Sequence, residues 1–340
     1  MGSQKTVIVA DDGDLILTDT GGISRPTLLA FFGRTRLVGE EAAPQISGDA
    51  AVPMLNALLG RSVDDFHASA VTPHRKVPFH ADAGGRLSAT VEYCNEKKTL
   101  FATALVGMFL AKAAARVYDV YAQQKDALHF TFSLPPDYKP AAARALKEAC
   151  SVAGIDLSRV AVVDATDGLV AAYARKLSAL KGPEKANLEG KQVLLVEMGH
   201  TQSTAVVVDV GSFAEGSEGP KKVAHAHDGE LGALHFDLLL FGHFAGIVQQ
   251  KGGDAVVPGT KRGQRLLAGC ERLRKLLSQL GESSVTVENL TDAGDVSFTL
   301  KRDDLSQLCV DLLARFKALL GKVRQTPHLA TYLALISPPM

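Results

Sequence analysis

Residues 197–209 read EMGHTQSTAVVVD and follow directly on the apolar run of residues 193–196. An apolar strand, an acidic residue, a glycine and hydroxyls, then a second apolar run are the pattern of a β-turn-β unit. Such a turn aims backbone N–H groups at an anion and offers a carboxylate to the anion's metal ion. Glu197, Gly199, His200 and Thr201 are therefore candidates for a phosphate-facing loop, with Glu197 as the metal-binding and catalytic carboxylate. The competing readings are an ordinary hairpin with an acidic strand end, and a histidine that only supports the turn.

Elsewhere the chemistry-bearing residue types form no metal pattern. The ten histidines lack HExxH spacing, and His225 and His227 alternate as one solvated face of a possible strand. The four cysteines, Cys94, Cys150, Cys270 and Cys309, are far apart with no CxxC, as expected of reduced core residues in a cytosolic protein. Lys+Arg and Asp+Glu balance at 37 each, so no global attraction to nucleic acid or to an anionic membrane is expected. The first ten residues carry one short apolar patch and no secretory signal, and the longest apolar segment, residues 105–115, is too short and too charged to span a bilayer.

The elements that would position the turn are legible in the periodicity. At 340 residues two lobes are expected. Residues 7–10, 15–17, 28–32 and 37–39 read as short strands, 54–59 as a helical turn and 87–93 as a strand. Residues 101–123 form an apolar-periodic helix, 127–134 a strand, and 139–153 an amphipathic helix closed by Gly154. A strand at 160–163 and a helix at 168–180 precede a charged Gly/Pro segment, 181–190, that marks the lobe boundary. Beyond it lie the turn unit, an exposed loop at 211–220, helices at 233–250, 261–280 and 303–325, and strands at 284–290 and 296–301. Strands then helices, twice over, predict two related α/β lobes, with residues 1–183 as lobe I and 184–340 as lobe II. A ligand is expected in the cleft between them.

Four segments carry a family resemblance. ALHFTFSLPPDYKPAAARALKEACSVAGIDLSRVAVVDATDGLVAAYA resembles the middle of the heat-shock protein 70 superfamily nucleotide-binding domain. LLVEMGHTQSTAVVV is similar to the phosphate loop of the heat-shock protein 110 branch, DGELGALHFDLLLFGHF to the family's "LGGxxFD…NHF" turn and helix, and CERLRKLLS to its "CExxKxxLS" adenosine helix. The similarity runs in unbroken order over residues 5–324. It implies the α/β, actin-like (ribonuclease H-like), two-lobed ATPase fold, with an adenine pocket in the second lobe and phosphate loops meeting over Mg²⁺. By that resemblance Glu271, Arg274, Lys275 and Ser278 contact adenosine, and Gly232 lies where sugar and phosphates pass closely. Spacing of i, i+3, i+4 and i+7 suits this, since it lines hydrogen-bonding and cationic groups along one helix face. A solvated charged face is the competing reading.

The departures from the family pattern are as informative. The sequence aligns as though it began after the first phosphate loop and ended before a later glycine-rich adenosine turn, which predicts a fold incomplete at both ends, without a substrate-binding domain, and with exposed apolar surface. Residues 11–13, Asp-Asp-Gly, are expected to form a hairpin turn rather than a substitute loop. The catalytic lysine corresponds to Asn56, ahead of Gly60; the "NE" glutamate to Ala165, after Asp164; a later acidic position to Thr204; and the family's second glycine to Ala233. An amide cannot replace a cation that offsets phosphoryl charge. Cys270 is expected to pack in the core. The resemblance implies an ATP/ADP- and Mg²⁺-binding chaperone or nucleotide-exchange co-chaperone with impaired hydrolysis. It would act with a heat-shock protein 70 partner and unfolded clients in the cytoplasm or nucleus. The alternatives are a nucleotide-silent interaction module and a sugar or acetate kinase of the same fold.

Overall fold

A computed structural model describes residues 1–46, 50–136, 138, 140–213, 218–324 and 334–337. The expected start of a helix at Lys139, part of the 211–220 loop and most of the C-terminal segment fall outside the described residues. The chain divides into two compact units, each discontinuous in sequence. The first holds residues 1–131, 139–161 and 236–308; the second holds 132–138, 162–235 and 309–340. The position expected for the lobe boundary, 183/184, falls inside the second unit.

The chain opens on a two-residue ladder of β1 (Lys5–Thr6) and β2 (Arg25–Pro26), followed by β3 (Leu28–Phe32), β4 (Thr35–Val38) and β5 (Ala51–Pro53) in the order β4-β3-β5. Residues 7–10 and 15–17, expected as strands, make a single bridge, Val9 with Leu15, around the turn at 11–13. That turn is the hairpin expected: Gly13 N donates to Ala10 O and takes a positive φ of 94°. After α1 (Val63–His67) come β6 (Phe79–Ala81), β7 (Leu87–Tyr93) and β8 (Glu96–Phe101), a second three-stranded antiparallel sheet. Cys94 and Asn95, at φ 58° and 61°, form the tight turn that pairs β7 with β8.

Helix α2 (Ala102–Val120) follows, then β9 (Phe130–Leu134), α3 (Pro140–Val152) and β10 (Val160–Asp164). Gly154 ends α3 at φ 75°, and Ile155 N reaches back to Cys150 O, which satisfies a carbonyl the helix leaves open. Next are α4 (Ala165–Ala179), the short α5 (Pro183–Ala186), β11 (Gln192–Met198), β12 (Ser203–Asp209) and β13 (Lys221–Asp228). The last elements are α6 (Ala233–Gln250), α7 (Lys261–Leu277), β14 (Glu282–Thr291), β15 (Gly294–Lys301), α8 (Arg302–Leu308), α9 (Val310–Arg324) and β16 (Ala334–Ser337). The single helix expected over 303–325 is two helices, interrupted at Cys309, where the chain leaves the first unit for the second.

Each unit has its own core. In the first, Leu240, Phe244, Leu266, Leu273 and Leu277 of α6 and α7 pack on Val285, Val287 and Phe298 of the β14–β15 hairpin. In the second, the sheet runs β13-β12-β11-β16, with β16 parallel to β11 and the other pairs antiparallel. Both faces of its central strands are buried. Val193, Leu195, Val206 and Val208 meet Val170, Tyr173 and Leu177 of α4, while Leu194, Val196, Ala205 and Val207 meet Leu319 and Val323 of α9. A strand covered on both faces is apolar at every position, which is why β11 and β12 read as continuous runs rather than as alternation. Among the described residues no helix is long and apolar enough to cross a membrane.

Candidate nucleotide-binding site

The phosphate-loop candidates lie in the second unit on the turn that joins β11 to β12, whose ladder runs from the Gln192–Asp209 pair to the Met198–Ser203 pair. Gly199 N donates to Gln202 O at 2.8 Å, closing the turn. Its far side is held by the start of α6, where Ala233 N bonds Gly199 O at 3.0 Å and Leu234 N bonds His200 O at 2.8 Å. Gly232 is the pivot of this arrangement. A Cβ there would stand 2.6 Å from Gln202 N, His200 O and the Thr201 carbonyl carbon. The space a side chain would need is thus taken by the turn's own backbone, a reason for glycine that the sequence pattern does not supply. Next to it, His235 Nδ1 accepts from Gly232 N at 3.1 Å, leaving the proton on Nε2, 3.3 Å from Glu230 Oε2.

Glu197 is the penultimate residue of β11, next to Met198 at the mouth of this turn. Desolvation by the surrounding chain pushes its carboxyl above the ordinary value, although the residue as a whole is exposed to solvent. A partly desolvated carboxylate is stabilised by a nearby cation, and Mg²⁺ is commonly held by one or two carboxylates plus substrate phosphates. Glu197 fits that role. Thr204, where the family has an acid, is buried, and its hydroxyl lies 3.0 Å from His227 Nδ1 across the β12–β13 ladder. His227 therefore departs from the solvated face expected for it, whereas His225 is exposed. Asp164 is spent as the N-cap of α4, accepting from Thr166 N and Oγ1 at 2.8 and 2.7 Å. Burial pushes its carboxyl up, but these bonds and Lys222 outweigh it and hold it below the ordinary value. Lys222 Nζ reaches Thr166 Oγ1 at 2.8 Å and also pairs with Asp167. Because this cluster is open to water, Lys222→Met is expected to cost about 1 kcal/mol or less in a urea titration.

The adenosine-contact candidates lie in the first unit on α7. Thr260 caps the helix, its hydroxyl accepting from Gly263 N at 3.1 Å, and Leu266, Leu273 and Leu277 anchor the opposite face. Glu271, Arg274 and Lys275 therefore line one side of the helix, with Ser278 as its C-cap, though each already has a partner. Glu271 Oε1 accepts from Lys275 Nζ at 2.7 Å and from Gln4 Nε2 at 3.1 Å. Ser278 Oγ donates to Lys275 O at 2.7 Å. Arg274 forks onto Asp237 of α6, Nε to Oδ1 at 2.6 Å and Nη2 to Oδ2 at 3.2 Å.

Asp237, the aspartate of the "LGGxxFD" match, is assigned no role by spacing or resemblance. Its side chain is 1% exposed, and burial pushes its carboxyl up to about 6, with Arg274 offsetting part of that push. The signal in the sequence is a lone acid in an otherwise apolar helix, which demands a cationic partner. Cys270, beside Glu271, is 1% exposed and desolvation drives its thiol well above the ordinary value, as expected of core packing. Asn56, which the resemblance sets opposite the family's lysine, is buried and donates from Nδ2 to Ser3 Oγ at 3.1 Å. The glycine that follows in this segment, Gly60, takes φ 67° and packs where a Cβ would lie 2.4 Å from Ala142 N.

A sequence model of the family described as Hsp70 protein matches residues 2–330. The chain belongs to the Hsp70 family. Its fold is accordingly the actin-like ATPase fold. Similar proteins include a heat shock protein homolog of Eremothecium gossypii, 26% identical over 306 residues, covering 89% of this chain and 42% of the relative. Heat shock protein hsp88 of Neurospora crassa is 27% identical over 305 residues, with 89% and 41% covered. Heat shock 70 kDa protein 16 of Arabidopsis thaliana is 26% identical over 306 residues, with 89% and 38% covered. Relatives of the heat-shock protein 110 type agree with the branch to which the Met-Gly-His turn points. The chain spans less than half the length of the curated relatives it matches.

Proposed function

We propose that this Hsp70-family chain binds ADP and ATP with Mg²⁺ and serves protein folding, as a chaperone or as a nucleotide-exchange partner of another Hsp70-type chaperone. The observation that carries this reading is the α7 face, where Glu271, Arg274 and Lys275 stand in line, with Ser278 as the C-cap, on a helix anchored by its apolar side. On the phosphate side, Glu197 is the residue that would hold Mg²⁺, and the 199–202 turn would meet the phosphates. Bound Mg²⁺ would neutralise phosphate charge there. Hydrolysis is expected to be weak, because Asn56 replaces a cation, and loss of one such stabiliser costs on the order of 100- to 1000-fold in rate. Unfolded clients and a cytoplasmic or nuclear site of action belong to the same proposal.

A nucleotide-silent interaction module is the second reading. It is favoured by the internal engagement of all four adenosine-contact side chains. Calorimetric titration of the folded chain with ADP and ATP, with and without Mg²⁺, separates the two. Saturable, Mg²⁺-dependent binding that weakens about 10-fold in Glu271→Ala or Lys275→Ala is the expected result. Absence of heat from a cooperatively folded protein leaves the silent module.

A further inference from the structure

The N-terminal residues form a small, well-tied structure of their own. Gly2 N donates to Lys5 O at 3.0 Å, Thr27 N to Gln4 O at 2.9 Å, and Thr27 Oγ1 to Gly2 O at 2.8 Å. Ser3 is buried, and its hydroxyl accepts from Asn56. Held on this base, Gln4 extends its carboxamide across 267 positions of sequence to Glu271 on α7.

We propose that Gln4 is a self-masking residue: it occupies the Glu271 end of the α7 adenosine face, and nucleotide must displace it. The proposal rests on the nucleotide-binding reading above. Its physical basis is competition for a carboxylate. Glu271 Oε1 accepts from Gln4 and Lys275 together, so Gln4 occupies part of the accepting capacity that a nucleoside would use. A nucleoside taking its bonds from Glu271 and Lys275 removes both interactions at once. The backbone of residues 2–5 is tied to Thr27, and the Ser3 hydroxyl to Asn56. Only a side-chain rotation is required, so the mask slows no folding step and sets the affinity instead. Nucleotide affinity is then tuned by a residue far in sequence from the helix that contacts the ligand.

The test compares ADP binding by the full chain and by Gln4→Ala, using calorimetry with Mg²⁺ present. In parallel, the Gln4 side-chain amide of ¹⁵N-labelled wild-type protein is followed by NMR during the same titration. Tightening of the dissociation constant by about 3- to 10-fold in the variant is expected, the worth of one surrendered hydrogen bond. The wild-type amide signals should move toward solvated values as ADP saturates. Equal or weaker binding by Gln4→Ala, or an amide unmoved at saturation, overturns the masking role while leaving nucleotide binding intact. Absence of ADP binding by both proteins overturns the nucleotide reading and the mask with it.

Discussion

Replacing Arg274 by methionine is expected to destabilise the protein by about 3–5 kcal/mol at pH 7.5, the usual consequence of leaving a buried charge without its partner. Methionine keeps the packing of the stem, so the loss reports on charge. Asp237, 1% exposed, has no comparable access to water, whereas Arg274 is 18% exposed. The deficit should depend on pH in a defined direction. Burial already places the Asp237 carboxyl at about 6, above the ordinary 3.8, with Arg274 among the groups pulling it down. Without the guanidinium the folded-state value rises further. A group whose folded value is raised binds its proton more tightly when folded, so the penalty is present in full above that value and fades as pH falls through it. At pH 5 Asp237 in the variant is neutral, and the deficit should shrink to about 1–3 kcal/mol, the cost of a poorly bonded buried polar group. Urea denaturation of both proteins at pH 5 and 7.5 reads this directly. A deficit equal at the two pH values would mean that packing, not charge, accounts for it.

Gly232→Ala should be the most damaging single methyl in the second unit, costing about 1–3 kcal/mol as an overpacked contact. Three backbone atoms of the 200–202 turn lie 2.6 Å from the position of the added Cβ, and backbone cannot rotate away as a flexible side chain can. Either the turn or the start of α6 must shift, breaking the bonds of Ala233 N to Gly199 O and Leu234 N to His200 O. Faster hydrogen exchange at the Ala233 and Leu234 amides, with a lowered urea midpoint, is the expected outcome. Gly229→Ala is the control, since its Cβ would meet only the His227 ring at an ordinary 3.7 Å. If both variants behave alike, the close approach is not what requires glycine at 232.

These two residues mark how far the sequence can be read. Family resemblance marks Gly232 as a position for a small residue beside a passing nucleotide, while the atoms that crowd it are those of the 199–202 turn. The resemblance singles out Arg274 for adenosine, but spacing on α7 is silent on its partner Asp237, although the two are joined by two hydrogen bonds. Among the elements, α6 is legible to its full extent because eighteen residues of apolar periodicity leave little choice. By contrast β8, with the sequence EKKTLF, is too polar to announce itself as a strand, and β13, with KKVAHAHD, shows only as an alternation at His225 and His227. β8 exists because the Cys94-Asn95 turn folds it back on β7, and β13 because β12 offers it an edge.

The sequence by itself determined the family, the actin-like fold that goes with it, the helical face at Glu271, Arg274, Lys275 and Ser278, and the turn after Glu197. The helix face and the turn follow from local periodicity and short-range spacing, which the geometry of one helix or one hairpin is enough to set. Tertiary structure alone decided what those groups touch: Gln4 on Glu271, Asp237 under Arg274, the turn backbone against Gly232, and Ser3 at Asn56. Contacts between residues distant in sequence depend on which faces pack together, and no pattern within either segment records that choice.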